Sequence, residues 1–485
     1  NPQSPIPNPH SKEDNNKVFI LTINNNYLFF ESLIIMVLKK EQYYICFINM
    51  LASMGYSLIA PLLPPMCKEK GISNQTCSYM ISIMALVQII TSIVFPKVVD
   101  KFGRKKIFLF SLIIQTFVTI YYGIMNYITN NFYFILTGFI NRIIHGIFCC
   151  NINIICFVIT SAINKGPDLE IATGIMELSW MIGLTIGPLV VSIFYDIGGY
   201  SLPYYVCALI CLSGIYAFYQ VPQVDETIYK QEKNEKLNNN ENIINKEEKI
   251  EIFSLFKHPQ ILLLTGAIIM ETNSIDFYIP SLVNHLNETW GVSTSTASLF
   301  FLSSTISYAI ILQKIHNLIT FFGNFPLICL GLILTSITCF IIAPISFLPH
   351  SYWTILSGII IMGFNGCFII VPSFIELNNF SKVLFPDNIE MQIIIGSSFF
   401  NFSFYIADFF SPVIGSFFYT HYSFETSAYV TGFITFIFWA TFSLFYKDKI
   451  KLFFVPKNLV ENVEKEKQSS IIQMSDKDSN ILYDK

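Results

Sequence analysis

The sequence predicts an all-α membrane protein: twelve membrane-spanning helices arranged as two six-helix halves. Three observations carry this expectation. Of the 485 residues, 53% are hydrophobic and only 13% are charged, whereas about a quarter of a soluble domain is charged. Apolar runs long enough to cross a hydrocarbon core of about 30 Å recur along the chain. The runs fall into two sets separated by a polar stretch, and short motifs of the first set return in the second.

Residues 1–41 form a lead-in. Val18–Leu38 is apolar but interrupted by Asn24, Asn25, Asn26 and Glu31, and uncapped polar groups are costly in hydrocarbon. It also lacks the form of a cleavable signal peptide, so a cytosolic or interfacial segment is expected. The first half, 42–220, holds runs at 42–63, 78–97, 107–126, 132–159, 171–195 and 202–220. Residues 221–258 are rich in Gln, Glu, Lys and Asn and read as a solvated linker. The second half, 259–446, holds runs at 260–283, 297–319, 325–345, 352–377, 391–417 and 424–446, and 447–485 is a polar tail. Each run reads as a helix, because only helices and closed barrels satisfy the backbone in lipid and the alternation of barrel strands is absent.

Charge orients the runs. Phe95-Pro-Lys-Val-Val-Asp-Lys-Phe-Gly-Arg-Lys-Lys-Ile107 is a short basic hinge between the second and third runs. Cationic loops are retained in the cytosol, which puts both termini there. Lys39, Lys40, Lys165, Lys314, Lys382, Lys447, Lys449 and Lys451 fall on the same side. The opposite loops carry Lys only in the first, at Lys68 and Lys70, and hold the glycosylation sequon Asn287-Glu-Thr289. Within the hinge Gly103 permits a tight turn, and Asp100 can pair with Arg104 or cap the next helix. Cys67 and Cys77 flank one of the opposite loops, where a disulfide is conceivable.

The halves repeat. Pro188-Leu-Val-Val-Ser-Ile-Phe-Tyr195 parallels Pro412-Val-Ile-Gly-Ser-Phe-Phe-Tyr419, and Ile59-Ala-Pro61 parallels Tyr278-Ile-Pro280. Phe102-Gly103 parallels Phe322-Gly323, though the second hinge has lost its acid and most of its cations.

Polar residues inside the runs are the candidates for chemistry, because an ionisable group at membrane depth faces a cavity or a partner. The chain has two arginines, Arg104 in the hinge and Arg142. Arg142 lies about 16 Å into the fourth run at 1.5 Å per residue, where a buried arginine is costly unless it is paired, hydrated or bonded to backbone carbonyls. His145 one turn on can relay a proton or pack. Glu177, in the fifth run between Met176 and Leu178, can bind a cationic amine or take up a proton. Gly183 and Gly187, four apart, let helices approach closely, and Pro188 frees a carbonyl and allows bending. The seventh run carries Glu271, Ser274 and Tyr278 on one face, at i, i+3 and i+7, with Asp276 on another. Asp408 stands four residues before Pro412, and Glu376 lies toward the hinge end of the tenth run as a candidate gate.

The hinge resembles the signature loop of the major facilitator superfamily through Asp100, Lys101, Gly103, Arg104 and Lys105, with Pro96 replacing its first glycine. Asn141-Arg-Ile-Ile-His-Gly146 resembles that superfamily's fourth-helix pattern, with His145 in place of a glutamine. Gly183-Leu-Thr-Ile-Gly187-Pro188 resembles its antiporter motif, with Val191 and Ser192 replacing the final glycines. Other stretches are similar to one branch, the vesicular amine transporters of solute carrier family 18. They are Gly55-Tyr-Ser-Leu-Ile-Ala-Pro-Leu-Leu-Pro64, Ser304-Thr-Ile-Ser-Tyr308-Ala-Ile310, Glu177 through Pro188, and Ile370-Val-Pro-Ser-Phe-Ile-Glu376. The last two look most like the polyamine-type member. Ala52, Ile279 and Asn401 stand where monoamine transporters carry acids, which disfavours monoamines and acetylcholine.

The resemblance implies a secondary transporter working by alternating access between the halves, with proton antiport of an organic cation or polyamine and a vesicular or vacuolar membrane. Its partners would be the small-molecule substrate, protons and the bilayer, with the chain acting as a monomer. A uniporter of a neutral solute and a non-transporting sensor are the alternatives. The net charge of −4 gives no basis for nucleic-acid binding, and the 11 cysteines form no paired C-x-x-C arrangement. No metal or cofactor is expected, and no nucleophile stands with a base that would make an enzyme.

Overall fold

A computed structural model describes residues 39–221 and 256–451, apart from 278, 293, 345–348 and 387. The lead-in before residue 39, most of the 221–258 linker and the tail beyond 451 lie outside the described residues. Those described are helices joined by short turns: α1 (Lys40–Ser57), α2 (Ile59–Glu69), α3 (Asn74–Phe102), α4 (Arg104–Ile124), α5 (Asn131–Ile163), α6 (Pro167–Gly198) and α7 (Ser201–Tyr219) come first. After the linker come α8 (Pro259–Asp276), α9 (Ile279–Trp290), α10 (Thr294–Leu312), α11 (Ile315–Phe322), α12 (Asn324–Ile342), α13 (Tyr352–Leu384), α14 (Ile389–His421), α15 (Phe424–Phe445) and α16 (Lys447–Lys451). Among the described residues, ten helical stretches are long and apolar enough to cross a membrane. Residues 259–322, where the seventh and eighth runs were expected, are divided into shorter helices and supply none of the ten.

Two of the breaks have one cause. Pro61 lacks an amide hydrogen and its ring crowds the carbonyl four residues back; that residue is Ser57, where α1 ends. Pro280 stands in the same relation to Asp276, where α8 ends. Each break leaves backbone carbonyls without intrahelical partners. Elsewhere the turns are closed by side chains: Ser73, Asn130, Ser351, Asn388 and Ser423 each accept a bond from the first turn of the helix that follows. At the basic hinge α3 passes into α4 through Gly103 at φ 80°, and Gly323 at φ 81° does the same between α11 and α12. The second hinge keeps the backbone of the first after losing its charges.

Helices α1–α7 pack mainly on one another, as do α8–α15. The two groups meet where α14 packs on α3 and α5, and where α10 and α13 pack on α6. The buried apolar side chains form three clusters. One draws on both groups and includes Phe157, Ile159, Leu312, Phe374 and Phe400. A second lies within α1–α7, around Leu63, Met66, Tyr122, Phe134 and Tyr204. The third lies within the other group, around Leu282, Leu286, Ile342, Ile355 and Phe424. The shared cluster occupies the end that carries the hinges. The two separate ones occupy the far end, where α2 turns into α3 and α9 into α10.

Candidate functional site

Five helices bring polar side chains to the level where the shared core gives way to the separate ones. From the first group come Tyr56 on α1, Arg142 on α5 and Glu177 on α6; from the second come Asp276 at the break of α8 and Asp408 on α14. Asp408 lies within electrostatic reach of both Glu177 and Tyr56. The Asp276 and Asp408 carboxyls interact with each other, and among the described residues the buried Oδ2 of Asp276 has no hydrogen-bond partner. Two carboxylates in contact cannot both stay charged without a shared proton or a cation between them. Glu177 is 6% exposed and makes no ion pair among the described residues. Tyr56 packs against Trp180, ring centroids 6.0 Å apart, and its face lies 6.0 Å from the Arg142 guanidinium. An aromatic wall beside acids suits an organic cation.

Arg142, 2% exposed, makes no ion pair with these acids among the described residues. Its Nη2 donates to the Ile81 carbonyl at 3.0 Å, while Nε and Nη1 make no hydrogen bond. It also lies against the Tyr122 hydroxyl. His145 is fully buried beside it, with Nε2 2.8 Å from Gln115 and Nδ1 3.4 Å from the Tyr122 hydroxyl. Both ring nitrogens are thus occupied by uncharged groups. Arg142 and His145 form one buried polar string with Gln115 and Tyr122.

Glu271 belongs to a different compartment. It is fully buried, and its Oε2 accepts from the Thr335 hydroxyl at 2.5 Å. Its Oε1 has no partner and faces the open side of Gly366, where an added Cβ would stand 3.2 Å away. Tyr308, 1% exposed and with an unpartnered hydroxyl, lies within reach of both Glu271 and Glu177. It is the residue that bridges the enclosed acid and the intergroup acids.

The residues considered for gating divide in the same way. Gly183 and Gly187 seat α6 directly on α1. A Cβ at Gly183 would stand 2.3 Å from the Met50 carbonyl, and one at Gly187 would stand 3.0 Å from that of Met54. Gly415 on α14 meets the Phe277 carbonyl at 2.2 Å by the same measure, the counterpart of that seat in the second group. Pro188 and Pro412 lie inside α6 and α14. Arg104 is 1% exposed at the start of α4. Asp100 falls in the last turn of α3, with its side chain outside the described residues. Glu376 accepts from Asn324 at 2.5 Å, which braces the second hinge within its own group.

Several residues that join the groups were not singled out from sequence. Phe157 of α5 packs between Phe374 and Phe400, at 5.3 and 4.9 Å between centroids. Asn153 donates to the Tyr405 hydroxyl at 3.2 Å. His316 meets Glu170 at 2.9 Å, and Leu312 fills the space left by Gly174. These contacts seal the hinge end. Their signal is faint: with 47 phenylalanines in the chain, three more in apolar runs carry no mark.

This helical architecture is that of a transporter family rather than an enzyme family. A profile of the Major Facilitator Superfamily matches residues 45–379, and the chain belongs to that superfamily. It is similar to the MFS-type transporter SLC18B1 of Rattus norvegicus, at 25% identity over 84% of this chain and 88% of that protein. The Mus musculus and Homo sapiens proteins of the same name match at 24% and 23%, each over 84% of this chain and 87% of the relative. The resemblance to solute carrier family 18 thus extends across most of the chain. A solved structure, the proton:xylose symporter XylE bound to 6-bromo-6-deoxy-D-glucose, shares the fold with a TM-score of 0.65. It is 12% identical and covers 84% of this chain and 95% of its own.

Proposed function

We propose that this chain is a secondary transporter that exchanges an organic cation or polyamine for protons by alternating access. The observation that carries the reading is the meeting of Glu177, Asp276 and Asp408 between the two helix groups, with Arg142 turned to a backbone carbonyl. A site with several acids and no paired cation accepts either protons or a multiply charged amine, and that exclusivity is what antiport requires. Protons hold the acids neutral in one half-cycle; the amine displaces them in the other. Tyr56 and Trp180 supply an apolar wall for the alkyl part of the substrate.

In this reading twelve spans form two six-helix halves, 42–220 and 259–446. Residues 259–290 and 294–322 act as the seventh and eighth spans despite their breaks. The hinge side faces the cytosol together with the lead-in, the 221–258 linker and the tail. The membrane is a vesicular or vacuolar one, acidic on the far side, and a single chain is the working unit. The state described is closed at the hinge end and divided at the far end. The Asp100–Arg104 hinge would latch the cytosolic side in one state.

The test is uptake into proteoliposomes with an imposed pH gradient and a panel of mono-, di- and polyamines. Gradient-dependent accumulation of at least one multiply charged amine is expected. No gradient-dependent flux across the panel would sink amine antiport, and flux indifferent to a protonophore would indicate a uniporter.

A further inference from the structure

Two of the eleven cysteines face each other across a turn between helices. Cys67 is in the last turn of α2 and Cys77 in the first turn of α3. Both are buried free thiols, at 0% and 4% exposure, and their side chains interact across the turn. The turn between them is narrow and fully specified. Ile72 N donates to the Cys67 carbonyl at 2.8 Å, Gly71 takes φ 68°, and the Ser73 hydroxyl accepts from Thr76 N at 3.2 Å. The pair therefore does not depend on a chance approach of two mobile segments; the backbone on either side is already fixed by hydrogen bonds.

Cys207 and Cys211 also touch, but they lie four apart along one helix. Cβ atoms in that relation are about 5–6 Å apart, beyond the roughly 3.5–4.5 Å that a disulfide spans. No such restriction applies to two residues on different helices facing each other across a turn. The compartment matters as well. Disulfides persist in oxidising spaces and not in the cytosol, and this turn lies at the end away from the basic hinge. Its own lysine at position 70 is structurally engaged: Nζ donates to the Ile128 carbonyl at 2.7 Å and sits 5.2 Å from the Phe134 ring centroid.

We infer that Cys67 and Cys77 are joined by an intramolecular disulfide on the far side of the membrane. The orientation, though not the transport activity, comes from the reading above. One S–S bond forms and two S–H bonds break. The two electrons and two protons pass to a disulfide-bearing oxidoreductase or to oxidised glutathione, which leaves as the dithiol or as two thiols. The bond has a mechanical consequence. The break at Leu58 separates α2 from α1, and the disulfide ties the free outer piece to α3 and to the core around Met66, Met80 and Phe134. The second group solves the same problem without sulfur: past the break at Asp276, the Asn287 amide donates to the Val292 carbonyl at 3.2 Å across the α9–α10 turn. Each broken span keeps its outer piece fixed to its own group while the groups rock.

The experiment uses the full chain produced in a eukaryotic host and purified in detergent without reductant. Free thiols are blocked with N-ethylmaleimide in denaturant, the protein is reduced, and the released thiols are labelled with iodoacetamide before peptide mass spectrometry. Cys67 and Cys77 should carry only the second label and the other nine cysteines the first, on a chain that migrates as a monomer without reductant. In Cys67→Ser, Cys77 should switch to the first label. N-ethylmaleimide on both Cys67 and Cys77 of the wild type, or a reducible dimer through them, overturns the inference. Treating the thiol form with a dithiol oxidant such as diamide then separates the causes. Closure of the bond means the orientation was wrong, and failure to close means the geometry was.

Discussion

The two ends of the molecule are built differently. At the hinge end a single apolar core runs through both helix groups, with Phe157 inserted between Phe374 and Phe400. At the far end each group has a core of its own, one around Leu63 and Tyr204, the other around Leu282 and Phe424. Among the described residues, the buried apolar core that joins the two groups lies at the first end. The contrast identifies which contacts must persist through a transport cycle and which must break. In the proposed alternating-access cycle, contacts within a group would persist and those across the hinge end would be exchanged.

The largest effect is expected where a permanent contact is removed. Gly183 lets α6 lie on the α1 backbone, and a Cβ there would meet a carbonyl oxygen at 2.3 Å. That oxygen cannot swing aside as a side chain does. Gly183→Leu should exceed the roughly 1–3 kcal/mol of ordinary overpacking and leave little monodisperse protein in fluorescence-detected size-exclusion chromatography. Normal yield and normal transport would mean that α1 and α6 separate during the cycle, which would collapse the distinction between permanent and exchanged contacts.

Next comes the level where the two architectures meet. Glu177→Gln keeps size and hydrogen bonding but fixes the side chain uncharged. If Glu177 carries charge in one half-cycle, gradient-driven accumulation should fall to background while the chromatographic profile stays that of wild type. Exchange between equal substrate pools survives if Glu177 handles only the proton, and is lost if it also holds the amine. Wild-type accumulation would remove Glu177 from the mechanism and shift attention to Asp408 or to the enclosed Glu271.

Much of this architecture is readable from the chain. Apolar runs locate the ten helices that are long and apolar enough to span, whereas the breaks before Pro61 and Pro280 fall inside runs that read as single spans. The hinge glycine is legible because its effect on the backbone is local. The convergence of Asp276 with Asp408 is not. A helix apolar on every side gives no hydrophobic face from which to read its neighbours, and residues 132 positions apart meet only through tertiary packing. The same limit applies to Arg142. Its depth follows from counting residues, but its choice of the Ile81 carbonyl over an acid depends on the position of α3. The hinge-end seal is the least legible part, since in sequence Phe157 differs from exposed phenylalanines such as Phe110 and Phe117 only in what stands opposite.

A third prediction acts on that seal. Phe157→Ala removes the ring that lies between Phe374 and Phe400 in the closed state. Large-to-small changes at buried aromatics cost about 3–5 kcal/mol where the site cannot collapse. Here the cost falls on one state of the cycle, so it should appear mainly as a shift toward opening at the hinge end. Cys156, fully buried next to it, is the native reporter. Its maleimide labelling in detergent should rise about tenfold, a shift of roughly 1.4 kcal/mol. Unchanged labelling together with a lower melting temperature would mean that Phe157 supports the fold generally and not the closed state.

The smallest effect is expected at the rim. His316 meets Glu170 at 2.9 Å, with the imidazole 39% exposed and the carboxylate 13%. A pair this open to water is screened by solvent and salt and contributes about 0–1 kcal/mol. Glu170→Gln leaves an amide oxygen that can still accept from the ring Nδ1, so only the charge is lost. Transport should change less than about twofold, the kinetic equivalent of under half a kcal/mol. Glu170→Ala, which removes the acceptor as well, should change it somewhat more and in the same direction. The salt dependence of wild type is an internal check: raising ionic strength should bring it toward the Gln variant and leave the Ala variant unmoved. A loss of tenfold or more in Glu170→Gln would show that the hinge end is held by charge at its rim rather than by the aromatic core beneath it, and the contrast between the two ends would then need an electrostatic explanation in place of a packing one.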